Sequence, residues 1–595
     1  MMTDSALLEE FNAEAEAEKN ETRGAVGDSG HFKAETKLGV IPKDQRATYR
    51  KVAALCKRAI KISDEGDHVG AAKHALKALD AGPDTALANH TVGLLLFRLG
   101  RLSRALEFYE RAWKLDPADD EIYLNMGIVA WKLDMLEAAE KFYRLCVQVN
   151  PDSMSGMINL ASVLRDQAKF EDAIELLRER IYLHPENAEL WNSLGTVLSD
   201  SGDPVGAVPF YTEALRLKPN FARAHNNLAN VYELIGEPEN AVTHFEEALK
   251  NPQDKIDRAT MLHGHSLALL ASGRLAEGWK AQRIRLDPDN TQATLFVMNC
   301  PMWEGDDLDE IRGKSLVWIG EQGLGDEVLF LNQANDLIDA VGPDGELRIA
   351  VEYRLVDLVA RSFPKAKVYS HRSANVEGRD VRVLPKIDKA SDCWTPMATP
   401  LRSLRNSVDS FPKDAGFLTP DPDRQEEFRQ QLAAFGPGLK VGILWKSLKM
   451  NARRARFFSA FDAWKPVLDV EGVEFVNLQY GKVEDELKIA RERFGVTVHQ
   501  PEGIDLKMDL DGVAALSFAC DLVIGPMNAT TNLAAASGAN VWFIHARSST
   551  WTMLGAGRSL WYPQTRSFFG EGFQDWENTM GRVATELAAH VKATG

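Results

Sequence analysis

ALANHTVGLLLFRLGRLSRALEFYERAWKLDPAD (residues 86–119) and DEIYLNMGIVAWKLDMLEAAEKFYRLCVQVNPDS (residues 120–153) carry one pattern 34 residues long, written twice. The pattern extends in both directions. Small residues recur at Gly93, Gly127, Ala161, Gly195 and Ala229, each 34 positions after the last. The same step separates Ala105, Ala139, Ala173, Ala207 and Ala241, and also Pro117, Pro151, Pro185 and Pro219, with Pro252 one place early. Tyr109, Tyr143, Leu177, Tyr211 and Phe245 supply a large residue in every period. This spacing predicts a hairpin of two helices per period. The Gly/Ala and the later Ala stand where the helices cross, and a large side chain there would hold them apart. The large residue lies one helical turn beyond the second Ala and fills the gap to the next unit. Proline ends the second helix. One such unit cannot bury a core alone, so the units stack.

The register resembles that of tetratricopeptide repeats over residues 50–285. A degenerate repeat with Ala71, Ala75 and Pro83 precedes the clear ones, and one with Gly273, Ala276 and Trp279 follows as a cap. Asn125, Asn159 and Asn227 share a further register, with Ser193 in the missing slot and Thr91 before it. A side-chain amide offers a donor and an acceptor and can pair with any peptide backbone. The row is similar to the asparagine ladder of the O-linked N-acetylglucosamine transferases, which implies an extended protein acceptor on these three residues. The other reading is that Asn is simply common at this position.

The 595 residues call for several domains. A net charge of −17 argues against a binder of nucleic acid that works by neutralising phosphates. Cys56, Cys146, Cys300, Cys393 and Cys520 lack zinc or disulfide spacing and read as reduced thiols. No apolar run reaches the ~20 residues of a membrane-spanning helix. The first residues are acidic, without the basic and apolar regions of a secretory signal, so the expected location is the cytoplasm. Residues 1–45 read as a solvated acidic tail, with Leu7, Leu8 and Phe11 as a short amphipathic turn or docking peptide.

Near Pro301 the helical period gives way to short β-branched runs. Ser315–Ile319, Leu347–Val351, Lys440–Trp445, Val473–Leu478, Leu522–Ile524 and Val541–Ile544 read as buried strands, alternating with amphipathic stretches such as Asp326–Val341 and Arg354–Phe363. Such alternation predicts parallel, doubly wound sheets. Two sets flank a Pro-containing region near 412–437, so two Rossmann-like lobes are expected, with chemistry at the carboxyl ends of their strands. The expected division is a tail (1–45), a solenoid (46–285), an N-terminal lobe (286–420) and a C-terminal lobe (421–595).

The run Gly320-Glu321-Gln322-Gly323-Leu324-Gly325-Asp326-Glu327 resembles the turn of bacterial tetratricopeptide proteins whose C-terminal domain is related to heptosyltransferase-like GT-B glycosyltransferases. Further pieces fall in that family's order: Gly278-Trp279, Trp303-Glu304-Gly305, Val441 to Trp445, Leu478-Gln479, Asp521 to Ile524, Trp561-Tyr562-Pro563 and Asp575-Trp576. The resemblance implies that Asp326 is the general base, with Glu321 as alternate. The other reading of Asp326 is a helix cap. It also places Gly323, Gly325, Lys446, Arg456, Gln479, Asn528, Thr530, Thr531 and Asn532 around the donor. Lys446, Lys449, Arg453, Arg454 and Arg456 form a basic cluster after a buried strand, either a phosphate site or a solvated charge run. Gly525 to Asn532 opens a helix and reads as a phosphate cradle. Met527 and Asn532 stand where relatives often have Asp and His, which casts doubt on the donor and on any proton transfer there.

Asp509-Leu510-Asp511 has the metal-binding Asp-x-Asp form but precedes a helical run, so capping is expected and no metal is predicted. Gly323-x-Gly325-x-x-Val328 with Glu352 is a partial dinucleotide fingerprint lacking its third glycine, and His499 and His545 receive no role. The resemblance implies an inverting, metal-independent sugar transfer without a cofactor, from a nucleotide-activated donor to Ser or Thr of a protein. By the same resemblance the acceptor is flagellin and the sugar a nonulosonic acid on a CMP-linked donor. Two alternatives stand: an adaptor that has lost catalysis, and an enzyme acting on lipopolysaccharide or another glycan.

Overall fold

The computed structural model describes residues 42–376, 378–384, 390–447 and 452–594. The tail expected over 1–45 therefore lies outside the described residues as far as position 41. The chain divides into two compact units, Met1–Pro219 and Asn220–Gly595.

In the first unit the predicted hairpins are present: Arg46–Asp64 with His68–Ala81, Ala86–Arg98 with Leu102–Leu115, Asp120–Lys132 with Leu136–Val149, Met154–Asp166 with Phe170–Leu183, and Ala188–Ser201 with Pro204–Leu217. Ala105, Ala139, Ala173 and Ala207 are fully buried at the crossings. The partner side is as tight. A Cβ on Gly127 would lie 2.5 Å from the Tyr143 ring, and one on Gly93 would lie 2.8 Å from Tyr109. The repeat with Ala161 has Leu177 in place of the tyrosine, so the small and large positions trade volume. A second 34-residue register sits in the turns. Gly66, Gly100, Asp134, Ala168 and Gly202 all have positive φ, and the side chains at 134 and 168 hid it in the sequence.

The second unit opens with two further hairpins, Ala222–Ile235 with Pro238–Ala248 and Lys255–Ala271 with Leu275–Ala281. The repeat hairpins thus run to Ala281, close to the expected end of the solenoid at 285, while the division into compact units falls earlier, at 219/220. The reason is contact with the α/β region. The Trp279 indole donates to Arg405 O (2.8 Å), Arg547 pairs with Glu233 (3.0 Å), and the Ser549 hydroxyl donates to Ala271 O (3.1 Å).

The strands, in chain order, are β1 Leu295–Val297, β2 Ser315–Ile319, β3 Glu346–Val351, β4 Lys367–Ser370, β5 Arg372–Val376, β6 Arg379–Val383, β7 Cys393–Pro396, β8 Leu439–Ile443, β9 Val473–Asn477, β10 Val498–His499, β11 Leu522–Pro526, β12 Val541–Ile544 and β13 Arg566–Phe568. Two sheets are wholly parallel, with orders β4-β3-β2-β7 and β10-β9-β8-β11-β12-β13. Counted within each sheet these are 3-2-1-4 and 3-2-1-4-5-6. The order reverses between β2 and β7 and between β8 and β11, the positions where open α/β sheets take ligands. A small sheet, β1-β6-β5, lies beside the first. One hydrophobic core runs through both lobes, from Trp318 and Phe330 to Val513 and Leu533.

The helix expected over Asp326–Val341 is broken into Leu324–Phe330, a 3-10 turn Leu331–Gln333 and Ala334–Val341. Buried Arg405 enters the break. It donates to Asn332 Oδ1 and Asn332 O (both 3.0 Å) and to Asp336 (2.6 Å).

The crossing geometry gives a direct test. Gly127→Ala is expected to destabilise the first unit by about 1–3 kcal/mol through overpacking. Adding Tyr143→Leu, which copies the Ala161/Leu177 repeat, should recover most of the loss in chemical unfolding. Additive losses would show that the pair does not share one space.

Candidate functional site

Strand β2 ends at Ile319, and the turn after it is held on every side. The Gly320 N–H donates to Ala350 O (2.8 Å), the Thr294 hydroxyl to Glu321 O (2.7 Å) and Arg382 to Gln322 O (3.0 Å). Gly323 caps the helix Leu324–Phe330, and the third helical residue, Asp326, reaches back to accept the Gly323 N–H (3.1 Å). The cap read at Asp326 is therefore the return half of a capping box. The carboxyl is half-buried and is pushed up to about 6, chiefly by desolvation. The Gly323 N–H pulls it down, the charges of Glu321 and Glu327 push it up, and Arg454 pulls it down.

The opposing wall comes from the second lobe. The Asn532 amide donates to Gly325 O (3.1 Å), and a Cβ on Gly325 would lie 3.3 Å from Ala529 N. Two helix starts, Leu324 and Ala529, therefore meet backbone to backbone, with Gly325 packed against protein. Tyr562, from the Trp-Tyr-Pro motif, is fully buried, and its hydroxyl has no hydrogen-bond partner among the described residues. Burial and the Asp326 charge both hold that phenol well above its usual range.

The cradle expected at Gly525–Asn532 carries its own cap. Asn528 Oδ1 accepts the N–H groups of Thr530 (3.0 Å) and Thr531 (3.2 Å). The Thr531 hydroxyl donates to Pro526 O (2.7 Å) and accepts the Asn528 N–H (2.9 Å). The N–H groups of Asn528, Thr530 and Thr531 are thus engaged within the loop. Asn528 Nδ2 and Asn532 Oδ1 are buried without partners among the described residues. Met527 packs on the core.

Three other expected site residues make internal contacts. Glu321, the alternate base of the sequence reading, is 2 % exposed and lies in an ion pair with Arg285 (2.8 Å). Gln479 Oε1 accepts the N–H groups of Trp445 (3.0 Å) and Lys446 (2.9 Å), and its amide donates to Tyr480 O (3.1 Å). It closes the ends of β8 and β9. Lys446 pairs with Glu486, which neutralises it. Arg456 is half-buried, and its carbonyl accepts from Gln574 (2.9 Å). Arg454 is the member of the cluster whose charge reaches Asp326. Lys449 and the Arg453 side chain lie outside the described residues.

Asp509 caps its helix through the Gly512 N–H (2.9 Å) and pairs with Arg424, while Asp511 pairs with Arg361. Glu327, quoted in the turn without a role, forms a buried pair with His371 (2.7 Å), and its charge acts on Asp326. In the first unit Asn125 and Asn159 are buried, and Asn125 is bonded to His90 (2.7 Å); Asn227, in the second, is half-buried.

Comparison with known proteins places tetratricopeptide repeats in the first half. Family models described as "TPR repeat" match residues 93–134, and models described as "Tetratricopeptide repeat" match 120–153, 158–220 and 210–243. Protein FlbA of Caulobacter vibrioides is 49% identical over 340 residues, which is 57% of this chain and 56% of that protein. The chain thus spans little more than half the length of that relative. Among solved structures, YrrB, a TPR protein with an unusual peptide-binding site, is 22% identical over 32% of this chain and 98% of its own, with a TM-score of 0.25. A tetratricopeptide repeat protein from Parabacteroides merdae is 16% identical over 44% and 98%, with a TM-score of 0.33. Among the described residues no helix is long and apolar enough to cross a membrane.

The raised carboxyl has a consequence for stability. Asn at 326 keeps an oxygen for the Gly323 N–H and removes the charge. Because the folded carboxyl lies above its ordinary value of 3.8, the wild type keeps this contribution below about pH 4 and loses it as the pH rises to about 6. Asp326→Asn should therefore be neutral near pH 4. Its gain should grow to about 1–2 kcal/mol above pH 6, after allowance for solvent screening. Thermal midpoints of both proteins across that range check this, and a constant difference would contradict the burial of the charge.

Proposed function

We infer that the chain is a protein O-glycosyltransferase of GT-B type, using a nucleotide-activated sugar. The observation that carries the reading is Asp326. It is a carboxyl poised near 6, at the carboxyl end of a parallel sheet and beside its order reversal, facing Arg454 and Tyr562 of a second such lobe. A base of that strength suits removal of a proton from a Ser or Thr hydroxyl. The freed oxygen attacks the anomeric carbon, the bond from that carbon to the phosphate oxygen breaks, and the configuration inverts. The leaving nucleotide phosphate takes the electron pair beside Arg454 and Arg456, whose charge stabilises it. The ordered motifs from Gly278 to Trp576 support the assignment, and the repeats supply a surface for a polypeptide acceptor. Flagellin as acceptor and a CMP-linked nonulosonic acid as donor follow from the family resemblance.

A second reading, a non-catalytic adaptor, is favoured by the self-capped start of the helix Ala529–Ala536 and by the neutralised Lys446.

Flagellin from cells carrying Asp326→Ala should lose a sugar-sized increment of intact mass, and transfer by the purified variant should fall about 100-fold or more. With the wild type, transfer should rise with pH as Asp326 ionises and level off above about 6. Unchanged flagellin mass after deletion of the gene rules out that acceptor. Absence of nucleotide-sugar binding in calorimetry leaves the adaptor.

A further inference from the structure

Between the last helical hairpin and the Asp326 turn runs a chain of buried polar side chains. Ser266, on the helix Lys255–Ala271, accepts from Gln282 Nε2 (2.9 Å). Gln282 O accepts from Arg285 Nη1 (3.0 Å). Arg285 then forks, Nε to Glu321 Oε2 (2.8 Å) and Nη2 to Thr399 Oγ1 (2.7 Å). The second carboxylate oxygen of Glu321 accepts the Ala398 N–H. Ser266, Gln282, Arg285, Glu321 and Thr399 are each at most 7 % exposed. All five therefore act within the fold.

Burying two charges costs several kcal/mol, and a well-packed apolar pair is often as stable. Stability is a poor reason for this pair. Geometry supplies a better one. Glu321 is the second residue of the turn that sets Asp326, and its carboxylate ties that turn to the Ala398–Thr399 segment after β7, across the order reversal of the first sheet. Arg285 follows directly on the last hairpin helix, Leu275–Ala281, so it joins that hairpin to the turn.

We propose that Arg285 and Glu321 are positioning residues for Asp326, linking the terminal hairpin to the turn that holds the carboxyl. The pair acts by fixing the capping box, and by keeping a negative charge close enough to hold Asp326 in its poised state. The idea rests on Asp326 being the working group of the site, but its test needs neither donor nor acceptor.

The test is a cycle on the full chain, followed by tryptophan fluorescence during thermal unfolding. Asp326→Asn is measured in the wild type and in Arg285→Met/Glu321→Met, an apolar pair of similar length. The gain from Asp326→Asn at pH 7.5 should fall by about half or more in that background, as coupled residues require. Arg285→Lys keeps the charge but loses the fork to Thr399, and should lower the gain part of the way. An undiminished gain in both backgrounds overturns the proposal and leaves the pair as packing. If the double variant does not fold, Arg285→Lys decides alone: a reduced gain supports the link and an undiminished one refutes it. Coupling found together with unaltered flagellin mass in Asp326→Ala would sink the enzyme reading while the positioning role stands.

Discussion

Close approach at a residue with little or no side chain is the constraint on which both units are built. In the first unit it recurs every 34 residues, where Gly93 and Gly127 leave room for Tyr109 and Tyr143. In the second it occurs at Gly325, which meets Ala529 and Asn532 from the other lobe. The first use makes a regular stack, since each hairpin needs the same gap. The second brings one carboxyl, Asp326, to the wall of a different sheet. A methyl group at Gly325 would press on the backbone of Ala529, which has little freedom to yield.

The same contact explains the electrostatics. Packing the two helix starts together removes water from Asp326, and desolvation is the largest influence on it. The nearby anions act in the same direction, while the Gly323 N–H and Arg454 oppose them. The outcome is a carboxyl near 6, where an acid group can change state around neutral pH. Holding it there destabilises the fold above that pH, as function-bearing groups commonly do.

Local features were legible and remote ones were not. Strands β2 and β12 fall on the residues read from the sequence, because a buried parallel strand is a short unbroken apolar run. Asp509 was legible as a cap because a cap needs only its own helix. The break at Leu331–Gln333 was not, since its cause, Arg405, lies 73 residues beyond Asn332. The partners of Lys446 and Gln479 were hidden for the same reason. The first is neutralised by Glu486, 40 residues on, and the second is committed to backbone N–H groups 33 and 34 residues back. Asp326 was placed on the right turn but at the wrong cap position, because Gly323 offered no side chain to mark the helix start.

The unsatisfied polar atoms carry the argument one step further. Tyr562 Oη, Asn528 Nδ2 and Asn532 Oδ1 are buried without partners among the described residues, and all three belong to residues around the Gly325 contact or its cap. Each such atom costs about 1–3 kcal/mol relative to a satisfied one. Phe at 562 would remove one such atom without breaking a bond among the described residues, whereas an apolar residue at 528 or 532 would also remove the cap or the bond to Gly325. The self-capped loop and the poised carboxyl thus meet at one contact, where Asn532 spends its amide N–H on Gly325 O and Asn528 spends its amide oxygen on the Thr530 and Thr531 N–H groups.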